Sequence, residues 1–183
     1  IAASVFAYFK LKPQNLGTLT QNLNNLLPQK EAIKVRATTA KVTLQRSDGT
    51  QKEISSEQEE VVEVGETLLT NTTGQATLRY PSGTLVRLAE ETTITVTSEN
   101  TIKQDLGTIF VRFKALLGVQ ESFEVESQNM VASVRGTAFA SIIKKGLPPK
   151  VIVTDHQVEI TPKDEKTGTK VETSKKLVKK GEQ

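Results

Sequence analysis

The chain has 183 residues, 36% of them hydrophobic, a net charge of +3 and no cysteine. That length suffices for one sizeable core, or a core with a small appendage. The lack of cysteine excludes disulfide staples and thiolate metal sites but leaves the compartment open. The charge is unevenly spread. Glu53, Glu57, Glu59, Glu60, Glu63 and Glu66 form an acidic stretch, and Lys163, Lys166, Lys170, Lys175, Lys176, Lys179 and Lys180 a basic tail. Runs of this kind read as solvated faces.

The first residues, "IAASVFAYFKLKPQN", contain no initiator methionine, and Met130 is the sole Met. The chain is therefore expected to be the inside of a longer gene product. Ile1 to Phe9 are apolar or small, then Lys10, Lys12 and Pro13 interrupt them. A bilayer-spanning helix takes about 20 such residues, so this stretch matches only the last third of a span. Residues 1–12 are expected to be the end of a membrane anchor, embedded through Ile1, Val5, Phe6, Tyr8 and Phe9, or else a short apolar helix. Tyr8, Lys10 and Lys12 would sit at the interface, although lysines there favour a cytoplasmic side.

Residues 13–32 read as a juxtamembrane amphipathic helix. Leu16, Leu19, Leu23, Leu26 and Leu27 recur at helical spacing between Pro13 and Pro28. The stripe is expected to dock on the following domain; self-association is the alternative.

From residue 33 the pattern turns to short alternating runs. "AKVTLQRSDGTQKEI" carries an Asp48-Gly49 hairpin signal, and "GQATLRYPSGTLVRL" repeats the device at Pro81, Ser82 and Gly83. "TTITVTS", "GTIFVRF", "ESFEVES", "KVIVTD" and "QVEITP" continue the series. About ten short strands with no helix after residue 30 define an all-β domain: sandwich, barrel or solenoid.

The stretch "SVRGTAFAS" departs from the Val- and Thr-rich texture. Read as one strand from Met130, it puts Ala132, Val134, Gly136, Ala138 and Ala140 on a small-residue face. Arg135 then falls on the opposite face, between Val131 and Phe139. A bulge at Gly136 would flip the register beyond it. The favoured reading of Arg135 is a partly buried arginine paired with a carboxylate; the other is an arginine that binds an anion.

The order of these motifs resembles the FecR domain, a bacterial extracytoplasmic β module. The resemblance rests on "SDGT", "VGETLLT", "ATLRYPSGTLVRLAEETTITV", "SVRGTAF", "VIVTDHQVEI" and "LVKKGEQ", and covers residues 35–183. It marks Gly65, Gly83, Val134, Arg135, Gly136, Thr137 and Phe139 as motif positions with a structural role. Two departures stand out. "PSG" replaces the family's Asp-Gly turn, and Asp155-His156 replaces its Glu-Gly. The resemblance implies a compact sandwich- or solenoid-like β domain over 33–183, behind an N-terminal helix. It also implies a single-pass membrane protein whose β domain faces the periplasm or cell surface.

No catalytic set is legible. His156 is the lone histidine, and neither a Gly-x-Ser-x-Gly elbow nor a phosphate-binding glycine loop occurs. No metal or cofactor site is expected. Nucleic-acid binding is not expected either, because aromatics are only 4% and acids interrupt the basic tail. The expected function is non-enzymatic recognition of a protein or surface ligand, in transmembrane signalling of the sigma-factor-regulator type. The alternative is a structural or adhesive envelope module that binds polysaccharide, a filament or its own copies.

Overall fold

The computed structural model describes residues 31–113, 122–164 and 167–182. The anchor expected over 1–12 lies outside the described residues. So does the leucine helix expected over 13–32, except Glu31 and Ala32, which have no regular structure. The described chain is almost wholly β. Its strands in order are β1 (Ile33–Thr39), β2 (Val42–Gln45), β3 (Gln51–Ile54), β4 (Glu59–Val62) and β5 (Thr67–Thr70). Then come β6 (Gln75–Arg79), β7 (Leu85–Leu88), β8 (Thr93–Ser98) and the long β9 (Thr101–Arg112). The series ends with β10 (Phe123–Glu126), β11 (Met130–Val134), β12 (Ala138–Ile143), β13 (Lys150–Asp155), β14 (Gln157–Pro162) and β15 (Lys176–Lys179). A single 3-10 turn, Glu172–Ser174, precedes the last strand.

Hydrogen bonding arranges the strands in two layers. The first runs β4-β1-β6-β7-β9-β12-β13. The second runs β3-β2-β5-β8-β9-β10-β11-β14-β15. β9 belongs to both: Thr101–Leu106 pairs with β8 and β10, while Gly107–Arg112 pairs with β7 and β12. All pairings are antiparallel except β9 with β10.

Alternation decides which face is buried. In β8, Ile94 and Val96 are buried while Thr93, Thr95 and Thr97 turn outward. Buried residues of both layers form one hydrophobic cluster, so the two inner faces share a core. Tyr80, just after β6, meets Phe123 of β10 edge-on at 5.1 Å, and Phe113 stacks on Phe123 at 6.4 Å. Burial pushes the pKa of the Tyr80 hydroxyl up from the ordinary phenol value.

The chain changes layer repeatedly, and all the described changes but the one from β5 to β6 share a backbone signature. Ala40, Glu57, Gly65, Glu91, Gly107, Gly136 and His156 all have positive φ, and each lies where the chain passes from one layer to the other. A left-handed residue breaks the extended run and redirects the chain within one step. The strand count exceeds the expected ten partly for this reason: the Met130–Ile142 run is two strands in two layers. Glu59–Val62, inside the acidic stretch, is a strand as well.

The sharpest change is inside β9. Gly107 has φ +92, and a Cβ built there would lie 2.3 Å from Thr92 Oγ1, 2.5 Å from Thr92 Cα and 2.7 Å from the Glu91 carbonyl oxygen. A buried polar seam lines this bend. The Thr108 N–H donates to Thr92 Oγ1 (3.1 Å), the Thr92 N–H to Thr70 Oγ1 (2.8 Å), and Thr70 Oγ1 to the Ala89 carbonyl (2.7 Å). Gln104 Nε2 donates to the carbonyls of Gly107 (2.9 Å) and Ser141 (3.3 Å).

Gly107→Ala is expected to cost on the order of 3 kcal/mol, because the clash is with backbone and the φ is strained besides. Gly83→Ala, at φ +80 but with nothing within 4 Å, should cost only about 1 kcal/mol. Urea unfolding of the two variants checks the contrast; equal losses would refute it.

Candidate functional site

The stretch that the sequence singled out is a crossing between layers. β11 ends at Val134, in contact with β10 and β14, and β12 begins at Ala138, in contact with β9 and β13. Gly136 stands between them with φ +87. The register flips there, so Ala132 and Val134 face the core before the turn, whereas Phe139 and Ser141 do after it. The continuous small-residue face expected from the sequence therefore does not exist. Gly136 is required by its φ, which a residue with a side chain adopts only at a cost.

Thr137 fixes the crossing in place. It is buried; its hydroxyl donates to the Gln157 carbonyl at 2.9 Å, and its own carbonyl accepts the Phe113 N–H at 2.9 Å. Gly65 marks the crossing between β4 and β5, where its N–H donates to the Val96 carbonyl at 2.7 Å. Gly83 closes the β6–β7 hairpin through its N–H to the Tyr80 carbonyl at 2.9 Å. His156 takes φ +57 at the β13–β14 crossing. That is where the sequence departs from the glycine of the FecR pattern, and a glycine adopts this conformation freely.

Arg135 does not form the buried pair expected of it. It is exposed, and it has no hydrogen bond or ion pair with a described residue. In step with Val131 and Ser133, Arg135 lies on the side of the chain that turns away from the core, and the turn at Gly136 parts it from Phe139. Its side chain borders an open hollow of about 730 Å³, together with Ser133, Gln157, Lys179 and Lys180. Registers set this rim: Ser133 lies opposite Glu159, and Gln157 opposite Lys179. The nearby acids are engaged. Glu159 pairs with Lys175 at 3.0 Å, and Asp155 with His156 at 3.1 Å. Arg135, Lys179 and Lys180 make no ion pair with a described residue, so the rim is set to receive an anionic group.

The buried arginine pair exists elsewhere, and the sequence reading missed it. Arg46, at the end of β2, donates through Nη1 to both carboxylate oxygens of Glu66 at 2.9 and 3.0 Å. Through Nη2 it donates to Glu60 on β4 at 2.8 Å, which ties the second layer to the first. Glu66 is 2% exposed and also accepts the Glu63 N–H at 2.8 Å. These Glu66 bonds hold the Arg46 pKa above its ordinary value. Hydrogen bonding from Lys52 similarly lowers that of Glu60.

Most acids of this stretch are ion-paired, yet Glu53, Glu57, Glu59 and Glu63 stay exposed, as expected of a solvated face; only Glu66 is buried. Lys34 meets Glu59, Arg36 meets Glu57, Lys41 meets Glu53, and Lys52 meets Glu60. The available signal was "VGE": a glycine needed at a crossing, followed by an acid at the start of a strand.

No three His, Asp or Glu among the described residues converge as a metal site. The imidazole of His156 is exposed and its partner is Asp155. This geometry holds and orients charged groups.

An all-β module of two layers with a cationic hollow at a layer crossing is the class of protein that these features define. The FecR protein family model matches residues 66–159, just over half of the chain, and the chain belongs to that family. Two crystal structures of a "putative anti-sigma factor" from Parabacteroides distasonis are similar to it. Both share 16% identity over 62% of this chain and 59% of theirs, with TM-scores of 0.44 and 0.43. The chain thus spans less than two thirds of that protein's length. No curated protein matches it.

Arg46→Ala is expected to leave the Glu66 carboxylate buried and unpaired, at a cost of about 3–5 kcal/mol. Arg135→Ala should stay within about 0.5 kcal/mol of the parent, as for an exposed side chain without partners. Thermal melts of both, recorded side by side, decide it; a large loss at Arg135 would restore the buried-pair reading.

Proposed function

We propose that this chain is the recognition module of a membrane-anchored signalling protein of the sigma-factor-regulator type, with its β domain on the extracytoplasmic side. Membership of the FecR family over residues 66–159 carries the reading. The module is non-enzymatic: it works by binding, through outward faces and rims whose charges are left uncompensated. The apolar Ile1–Phe9 stretch followed by Lys10 and Lys12 is taken as the end of the anchor.

The test uses the native gene product in its own cell. The protein should fractionate with membranes, and its β domain should be cut by protease added outside the cytoplasmic membrane. Deleting the segment that encodes 33–183 should shift transcription of a coherent set of promoters. A soluble cytoplasmic protein would overturn the placement. Unchanged transcription together with loss of surface attachment would overturn signalling and favour an adhesive envelope module.

A further inference from the structure

The outward face of the first layer carries a pattern that no described part of the fold uses. Register places Leu85 beside Arg112 and Arg87 beside Phe110 across β7 and β9, and Arg79 beside Leu85 across β6 and β7. Their chain neighbours Leu78, Val86, Ile109 and Val111 are buried in the core, so these residues point the other way. Arg79, Arg87 and Arg112 are exposed, and none bonds to a described residue. Phe110 is 51% exposed in their midst. A hollow of about 200 Å³ opens beside Arg87, Phe110 and Arg112.

The flanks differ from the centre. On β1, Lys34 and Arg36 are matched by Glu59 and Glu57, and beyond β12 Asp155 is held by His156. Across the middle strands Arg79, Arg87 and Arg112 have no ion pair with a described residue. Strand spacing puts Arg79 and Arg112 about 10 Å apart, with Arg87 about 7 Å further along the strands. Three guanidiniums at that density repel one another and raise the local potential. Each can grip a carboxylate with two parallel hydrogen bonds. An exposed phenyl ring among arginines is also the composition of an interface centre.

We propose that this face docks an acidic, extended segment of a partner protein. On both β7 and β9 an apolar residue stands two positions from an arginine: Leu85 with Arg87, and Phe110 with Arg112. An extended segment has the same two-residue period on one face. Its complementary pattern is an acidic residue two positions from an apolar one. The carboxylates would meet the guanidiniums while the apolar side chains cover Phe110 and Leu85. The inference names the surface and the partner chemistry for the recognition role above, and rests on that reading for the partner being a protein.

The test is direct binding by the full 183-residue chain. The probe is a fluorescent peptide of repeated Glu-Thr-Leu-Thr, with a Lys-Thr-Leu-Thr peptide, a polyuronate and a DNA oligonucleotide as competitors of other classes. The acidic peptide should bind saturably and the basic one should not. Arg87→Glu and Arg112→Glu should each weaken binding about tenfold or more. Phe110→Ser should weaken it several-fold, and Arg87→Lys should restore only part of the loss from Arg87→Glu. Lys144→Glu, an equal charge change in an exposed turn, should leave binding within about twofold. Thermal melts confirm that each variant is folded. No saturable binding, equal weakening by Lys144→Glu, or tighter binding of polyuronate or DNA would overturn the proposal. None of these readouts uses the membrane or the transcriptional response, so failure here is separable from failure of the signalling reading.

Discussion

Two layers must share one strand, and that requirement governs the rest of the molecule. β9 pairs with β8 and β10 over one half and with β7 and β12 over the other, which demands an abrupt bend where the halves meet. Gly107 provides it at φ +92, pressed so closely on Thr92 that a methyl group has no room. The bend strands polar backbone inside the core. Thr70, Thr92 and Gln104 are buried at this point because backbone groups that leave a ladder in a dry interior need partners. Each further crossing poses the same problem on a smaller scale. Thr137 solves it at the β11–β12 crossing, with a hydroxyl to one layer and a carbonyl to the other.

Charge follows from the same layering. A layer whose inner face is apolar must carry its ionisable residues outward or at the seams. Arg46 lies at a seam, where it reaches Glu66 in its own layer and Glu60 in the other. The outer faces then divide into compensated and uncompensated regions. β1 and β4 hold matched pairs across their register, whereas Arg79, Arg87 and Arg112 on β6, β7 and β9 have no ion pair with a described residue. The second kind favours binding, because a partner can supply the charge that the described residues leave unmatched.

Much of the fold was legible in the sequence because strand period and hairpin turns are local signals. The Asp48-Gly49 and Ser82-Gly83 turns lie between paired strands as read, and the alternation in Thr93–Ser98 gives the correct buried face. Layer changes were not legible, for most of them hang on single positive-φ residues. Ala40, Glu57, Glu91 and His156 are not glycine and carry no turn signature. Missing one of them at Gly136 propagated directly into the site. A strand read through that residue puts Arg135 between Val131 and Phe139, and the unbroken face then invites a buried pair. The true pair was hidden for the opposite reason. Glu66 sits in a run of six acids, and only the glycine before it, at a layer crossing, sets it apart from those at the surface.

The two ends of the described domain are held very differently. β1 lies inside its layer, bonded to β4 on one side and β6 on the other. β15 is an edge strand, bonded to β14 alone, and three of its four residues are exposed. Under tension between the termini, β15 can peel from β14 one hydrogen bond after another. β1 would have to break from two neighbours at once. Mechanical load is therefore released from the C-terminal end: the Gly181 and Lys180 N–H groups leave the Val153 and His156 carbonyls, then Lys179 leaves Gln157, and both lysines belong to the rim of the Arg135 hollow. A pull on the C-terminus would dismantle that rim while the arginine-bearing face of the first layer stayed intact.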